Sequence, residues 1–154
     1  MQAIPLEGKY LEKAVELYRQ GWALSPSTVI TIQPEQALAA LTTPDAVFWV
    51  FEVEGEIVGL GGFEKIRPID RVAEPYLSVL PRLQKKGLGW AISKFLWSRR
   101  EVLNLRRIQT IVLEDSPTVK FLVKLGFKQE GVLEAMRLRE GKPVDGLLFG
   151  WVRE

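Results

Sequence analysis

The stretch Leu77-Ser-Val-Leu-Pro-Arg-Leu-Gln84-Lys-Lys-Gly87-Leu-Gly89-Trp90 reads as a strand, then a basic glycine-bearing turn, then the entrance to a helix. That layout makes an anion cradle. Gly87 and Gly89 let the backbone approach a ligand closely, the first helical turn offers free N–H groups, and Lys85 and Lys86 add positive charge. No Ser, Thr, Asp or Asn stands at the helix entrance to cap it, so those donors call for a partner from outside the chain, and a phosphate group suits them. Taken alone, the plainer reading of such a segment is a turn and nothing more. Two better-known phosphate motifs are excluded. G-x-x-x-x-G-K followed by Ser or Thr does not occur, and in Gly87-Leu-Gly89-Trp-Ala-Ile92 isoleucine stands where a dinucleotide fingerprint needs its third glycine. What fits is Gln-x-x-Gly-x-Gly behind a Val-x-Pro strand end.

Working outward, composition narrows the chemistry. With 154 residues, 47% of them hydrophobic, the chain has material for one globular domain, 1–154, around a single core. Its longest apolar runs, such as Ala46-Val-Phe-Trp-Val-Phe51, are too short to span a bilayer, and the N-terminus lacks the charged-then-apolar layout of a signal peptide. A soluble, cytoplasmic protein with no membrane partner is therefore expected. The absence of cysteine excludes disulfides, thiolate metal sites and cysteine nucleophiles, and the absence of histidine removes the usual general base and the commonest metal ligand. No metal is expected. Proton transfer near neutral pH falls to carboxylates, Lys, Tyr, hydroxyls or water. The net charge is +2, yet between Arg82 and Arg107 the basic residues Arg82, Lys85, Lys86, Lys94, Arg99, Arg100, Arg106 and Arg107 face one acid, Glu101. For Lys85 and Lys86, inside the cradle, an anionic partner is the better reading; for Arg99, Arg100, Arg106 and Arg107 a solvated helix face weighs equally. Nucleic acid as the main ligand is disfavoured, since no helix-turn-helix, zinc or RNA-binding signature is present and the overall charge nearly balances.

Spacing sets the order of elements. Up to Tyr10 the pattern supports at most a short edge strand near Gln2 to Ile4. Leu11, Ala14, Val15 and Tyr18 keep helical spacing, and Gly21 is expected to end that helix. Trp22 to Thr31, with Ser25-Pro26-Ser27, reads as an irregular connection or as part of a second helix, and a helix from Glu35 to Leu41 follows with Pro34 in its first turn. Asp45 to Val53 and Ile57 to Ile66 make a β-hairpin, within which Gly59-Leu-Gly-Gly62 suggests a bulge or a close backbone approach. A strand from Glu74 to Leu80 is closed by Pro81, and the cradle comes next. Leu88, Ala91, Ile92, Phe95, Leu96, Val102 and Leu103 stripe one helix, roughly Gly87 to Leu103, whose apolar face Trp90 and Trp97 broaden. Arg107 to Leu113 suits a strand buried on both faces. A short helix follows, capped by Asp115 or Ser116, with Phe121, Leu122 and Leu125 as its apolar contacts and Gly126 ending it. Val132 to Arg139 and Val144 to Val152 read as a terminal hairpin.

In this order of elements, the cradle in mid-chain and Leu125-Gly126-Phe127 near the end resemble the GNAT superfamily of N-acyltransferases. The acyl-CoA pyrophosphate loop of that family has Arg or Gln, two residues, Gly, one residue, then Gly or Ala. The resemblance runs from about Val47 to the C-terminus. Lys124-Leu-Gly-Phe-Lys-Gln-Glu-Gly131-Val-Leu, then Gly141-Lys-Pro-Val-Asp145, is similar to the branch that includes ribosomal-protein N-terminal acetyltransferases. Ala73-Glu74 resembles that branch's Ala-Glu-Ile-Gly-Tyr strand and departs from it at Pro75-Tyr76-Leu77. The implied fold is α+β: a mixed, mostly antiparallel sheet of about six to seven strands with flanking helices, in which the strand before the cradle and the strand after its helix splay apart. The implied cosubstrate is acetyl-CoA. By resemblance, the backbone of Leu77, Ser78 and Val79 pairs with the pantetheine amides, and Gln84, Lys85, Lys86, Gly87, Leu88 and Gly89 hold the pyrophosphate. Trp90, Asp115 and Phe121 complete the implied CoA-binding set.

The implied chemistry is direct attack of an amine on the thioester, which asks for a neutral amine, a polarised carbonyl and a proton for the thiolate. Glu74 is the base of choice, near the acceptor side of the splayed strands, with an ordinary surface glutamate as the alternative and Glu114 and Glu64 in reserve. Many GNAT enzymes carry a Tyr four residues before the Gly-Phe pair to protonate the thiolate; here that position is Leu122. Thr118 could supply a hydroxyl in its place, and Asp115 could hold a pantetheine amide or the incoming amine, helix capping being the competing role for both. Two function classes follow. One is an acetyl-CoA-dependent N-acetyltransferase acting on a primary amine of a small molecule, peptide or protein, N-termini included; the other is a non-catalytic acyl-CoA-binding or interaction module, favoured by the missing Tyr at 122 and by Asp115 standing where the ribosomal branch it resembles often has Asn. The acceptor, the acyl-chain preference and the oligomeric state, a homodimer included, lie beyond the residue pattern.

Overall fold

The computed structural model describes residues 1–24 and 32–154. The elements are β1 (Gln2–Pro5), a 3-10 turn (Gly8–Tyr10), α1 (Leu11–Leu24), α2 (Pro34–Thr42), β2 (Val47–Val53), β3 (Glu56–Arg67) and β4 (Val72–Val79). A second 3-10 turn (Pro81–Leu83), α3 (Leu88–Val102), β5 (Arg107–Leu113), α4 (Thr118–Lys124), β6 (Lys128–Arg139) and β7 (Lys142–Val152) complete them. Seven strands form one sheet in the order β1-β2-β3-β4-β5-β7-β6. All neighbours are antiparallel but β4 and β5, which run parallel, so the sheet is the mixed, mostly antiparallel one expected.

The parallel pair is short. β4 and β5 meet only at Val72↔Arg107 and Ala73↔Ile108. From Glu74 to Val79, β4 keeps its antiparallel partner β3 and has no partner on the other side, while β5 stays paired with β7 along its whole length. At about 3.3 Å per residue, the wedge between the two strands runs for roughly 20 Å.

Helices cover both faces. Ile92 and Leu96 of α3 and Leu122 of α4 pack with Phe51, Phe63, Ile108, Phe127 and Phe149 on one side, and Ala14, Leu17 and Tyr18 of α1 with Ala37 and Leu41 of α2 pack on Phe48, Val50, Val58 and Leu60 on the other. The glycine cluster of β3 explains how closely α3 lies on the sheet. A Cβ at Gly59 would come within 2.8 Å of Ile92 Cδ1 and one at Gly61 within 2.9 Å of Ile92 Cγ2, so the close-approach reading of this cluster holds.

Several boundaries differ from the pattern of the sequence. Gly21 does not end α1, which continues to Leu24: the missing side chain is where the Tyr76 hydroxyl packs, so this glycine serves a helix–sheet contact rather than a stop. Ser25-Pro26-Ser27 lies outside the described residues. β6 starts at Lys128, not Val132, because irregularities between Gln129 and Gly131 and between Leu133 and Arg137, with Ala135 at φ 49°, break the alternation by which a strand is recognised. β5 is not buried on both faces. Ile108 is in the core, yet Ile111, on the opposite face, is 46% exposed because α1 and α2 lie over β2, β3 and β4 and stop short of it. At α4, Pro117 occupies the cap position and the Thr118 N–H donates to Ser116 Oγ at 3.2 Å, so Ser116, not Asp115, meets the capping need.

Candidate functional site

The wedge leaves backbone polar groups facing into it. Leu80 N–H donates to Val58 O at 2.9 Å, which fixes the phase of the β3–β4 ladder: Leu80, Ser78 and Tyr76 turn their backbone groups toward β3, and Leu77 and Val79 turn theirs into the gap. Pro75 has the same gap-facing phase, so its missing N–H costs the ladder nothing, and a proline is tolerated in the middle of a sheet. Ser78 is the correction among the three residues read as backbone partners of a ligand. Its backbone belongs to β3, and its buried hydroxyl donates to Leu17 O at 2.8 Å, pinning α1.

Beyond Val79 the chain turns through Pro81–Leu83 into the cradle. Gln84 Nε2 donates to Val79 O at 3.2 Å and ties the loop to the strand end. Lys85 (φ 64°) and Gly87 (φ 85°) are both left-handed, which for a lysine costs on the order of 1 kcal/mol and marks a loop held by its surroundings. Ala91 N–H donates to Gly87 O at 3.1 Å as the helix opens, and no side chain caps the helix. The N–H groups of Leu88, Gly89 and Trp90 thus lack intrahelical partners, as the missing cap residue foretold. A Cβ on Gly89 would lie 3.4 Å from the Phe121 ring. Trp90 stacks at a tilt on Phe121, 5.6 Å between centroids, with Lys94 and Lys124 5.9 and 5.5 Å from its own ring.

Between wedge and helices lies a cavity of about 220 Å³. Pro75, Tyr76 and Leu77 line it from β4, Thr110 and Val112 from β5, Ser93 and Trp97 from α3, and Thr118, Phe121 and Leu122 from α4. Thr118, Leu77 and Phe121 are thereby brought together. Asp115 is not: its carboxylate pairs with Arg139 of β6 on the exposed β5–α4 turn, away from the cavity lining.

On the opposite face, beside the fork, stands a group whose members are far apart in the chain. Glu64 and Glu74 are partners across β3 and β4. Tyr18 Oη donates to Glu64 Oε1 at 2.6 Å, and Tyr76 Oη donates to Tyr18 O at 2.7 Å. The Tyr18 and Tyr76 rings stack at 4.5 Å, and Lys65 Nζ lies 3.4 Å from Glu74 Oε2. Burial raises the Glu64 carboxyl above its ordinary pKa; the Tyr18 hydrogen bond and the Lys65 charge pull it back, and Glu74 pushes it up again. Burial, with Tyr18 and Glu64 adding, also pushes the Tyr76 hydroxyl up, so it stays protonated. Glu64 was read only as a reserve and Tyr18 only as a core residue. Their spacing of 46 residues carries no local signal; Tyr76 was visible only as a departure from a strand motif.

The wedge, the uncapped helix and the cavity suit an extended ligand with an anionic end. Residues 44–129, more than half of the chain, match the model of the acetyltransferase (GNAT) domain. The chain is 28% identical over 130 residues to the Bacillus subtilis (strain 168) protein named Uncharacterized N-acetyltransferase YoaA, covering 77% of this chain and 73% of that one. It is 29% identical over 101 residues to an N-alpha-acetyltransferase of Sulfurisphaera tokodaii, covering 58% of this chain and 60% of that protein, in keeping with the likeness to N-terminal acetyltransferases. The fold superimposes with a TM-score of 0.81 on spermidine N-acetyltransferase from Vibrio cholerae in complex with CoA and spermine, at 20% identity over 98% of this chain and 94% of that one. Match, fold and site agree: the chain belongs to the GNAT family and is an acetyltransferase.

Proposed function

We propose that the whole chain is a single cytoplasmic domain that transfers the acetyl group of acetyl-CoA to a primary amine by direct attack, and that the wedge between β4 and β5 is where the thioester is presented. The observation that carries this reading is the unpaired backbone edge at Leu77 and Val79, which runs straight into the uncapped start of α3. The residues fit acetyl-CoA as cosubstrate. Gap-facing backbone groups suit the amides of the pantetheine arm in the manner of an added strand. The N–H groups of Leu88, Gly89 and Trp90, with Lys85 and Lys86, suit the pyrophosphate. Trp90 and Phe121, flanked by Lys94 and Lys124, offer apolar surface and positive charge nearby. Thr118 is the hydroxyl on the cavity wall that stands nearest in role to the absent tyrosine at 122, whose leucine is buried in the same wall.

The amine is taken to be that of a small molecule or of a peptide or protein N-terminus, reached from the α1 side of the fork. A binding-only module would take up acetyl-CoA and release no thiol with any acceptor. The test combines calorimetry with an assay of free thiol over a panel of amines and N-terminal peptides. Gly87→Glu should lower acetyl-CoA affinity by at least about 100-fold because the new carboxylate faces the anion; nothing lies within 4 Å of that position, and the left-handed φ of 85° adds a strain on the order of 1 kcal/mol, small enough for the circular dichroism spectrum to be kept. Undiminished binding would remove the cradle from the site.

A further inference from the structure

Resting on that reading, we propose that Glu64 of β3, rather than Glu74 of β4, receives the acceptor ammonium and takes its proton, with Tyr18 of α1 holding the carboxylate in position. Glu64 and Glu74 occupy the same rung of the β3–β4 ladder, so their side chains leave the sheet on one face. That rung adjoins Ala73, the last residue of β4 to pair with β5. Just after Glu64 the register slips, and Lys65 takes a left-handed φ of 51°. Such a bulge re-aims a side chain, and here the Lys65 ammonium is brought to 3.4 Å from Glu74. Glu74 therefore already has a cation at hand, and its side chain is 32% exposed.

Glu64 is placed differently. Tyr18 Oη engages Oε1 at 2.6 Å, which leaves the carboxylate a second oxygen to offer. Beside it stand the stacked rings of Tyr18 and Tyr76, with Phe48 edge-on to both at 6.2 and 6.1 Å. An alkyl ammonium at this place meets a carboxylate oxygen in front and aromatic surface alongside. Tyr76 also borders the cavity on the other side of the sheet, so one residue links the Glu64 carboxylate to the wedge for the thioester. Among the described residues, the titratable groups acting on Glu64 are Tyr18 from α1, Lys65 from its own strand, and Glu74 and Tyr76 from β4, and Phe48 of β2 packs against the two tyrosine rings. Burial moves the carboxyl's pKa upward, toward the range in which a base works best near neutral pH.

The bound ammonium gives one proton to the Glu64 carboxylate, the neutral nitrogen forms a C–N bond with the thioester carbonyl carbon, and the C–S bond breaks. The second proton lost by nitrogen ends on the thiolate, and the proton on Glu64 returns to solvent, leaving an amide and a free thiol.

Glu64→Gln keeps an oxygen for the Tyr18 hydroxyl and removes the base. Measured by thiol release across the neutral and alkaline range, kcat should fall by about 100-fold or more, the acid limb of the profile should vanish, and acetyl-CoA binding by calorimetry should be unchanged. Glu64→Asp should recover part of the rate with a displaced limb, and it carries the test alone if Glu64→Gln fails to fold. Glu74→Gln should raise the acceptor KM a few-fold and retain the limb. Turnover that survives Glu64→Gln with its acid limb, or a larger kcat loss in Glu74→Gln, overturns this inference alone. A wild-type protein that binds acetyl-CoA and releases no thiol with any amine overturns it together with the proposed function.

Discussion

The two sides of the wedge are built in opposite ways. On the α3 side the gap-facing backbone of β4 and the uncapped start of α3 come from one continuous run, Leu77 to Trp90, and the groups this run offers are mainly backbone N–H and C=O. On the α1 side the groups are side chains, Tyr18, Glu64, Glu74 and Tyr76, contributed by three separate elements. A backbone site needs only a turn geometry and small residues, so it survives wide change in sequence around it. A side-chain site depends on how α1 lies on the sheet, and this is where members of one fold family can part company over the acceptor they take.

That contrast can be broken at the backbone first. Leu77→Pro removes one N–H that points into the wedge and no bond of the β3–β4 ladder, whereas Ser78→Pro removes a ladder bond. Leu77→Pro should weaken acetyl-CoA binding about tenfold with a small change in melting temperature, if one hydrogen bond of the donor arm is lost. Ser78→Pro should instead destabilise the fold. Equal behaviour of the two variants would show that the phase of the strand has no bearing on binding.

On the other side, Tyr18→Phe deletes the hydrogen bond that holds the Glu64 pKa down, so the acid limb of kcat/KM should move to higher pH while the acetyl-CoA KM stays put. The lost bond should cost about 1 kcal/mol of stability. The same carboxyl predicts a slope in stability. Its folded pKa lies above the ordinary 4.5, so the folded state holds the proton more tightly and stability declines as pH rises through that window. Glu64→Gln should flatten this slope in thermal melts; an unchanged slope would mean that Glu64 is not the group responsible.

The smallest effect belongs to a pair remote from the wedge. Arg107 of β5 and Glu130 of β6 form a two-pronged ion pair at 3.0 and 2.5 Å, and the Arg107 hydrogen bonds lower the Glu130 pKa. With the folded pKa depressed, the contribution is present above the ordinary carboxylate value and is lost as pH falls through the depressed one. Being partly exposed, the pair should be worth less than about 1 kcal/mol, and Glu130→Gln should lower the melting temperature slightly at neutral pH and not at strongly acid pH, with no change in turnover.

Much of this was legible from residue order because the informative parts are local. Gln84-x-x-Gly87-x-Gly89 after a strand, the absence of a cap residue and the Gly126 stop are each read within a few positions. The local readings that differ share one cause. Gly21 has the residue type of a helix end and Asp115 that of a cap, and in each case a distant partner, Tyr76 or Arg139, takes the residue for a packing or pairing duty. Ser78, grouped with its neighbours by resemblance, likewise gives its hydroxyl to Leu17 of α1.

By itself the sequence determined the strand, glycine turn and uncapped helix start from Leu77 to Trp90, the family, the alternation of strands and helices, and the exclusion of histidine and cysteine chemistry, all of which rest on backbone conformation or on residue types that are simply present or absent. Only the tertiary structure decided which strand residues face the wedge, since a slip of one position exchanges the two sets. It alone decided which carboxylate is half-buried against a tyrosine, because that depends on α1 closing over β3 and β4 across 46 residues of chain. The glycine turn and uncapped helix start proposed as the anion cradle belong to fourteen consecutive residues from Leu77 to Trp90, and the place proposed for the amine's deprotonation is assembled only in the folded whole.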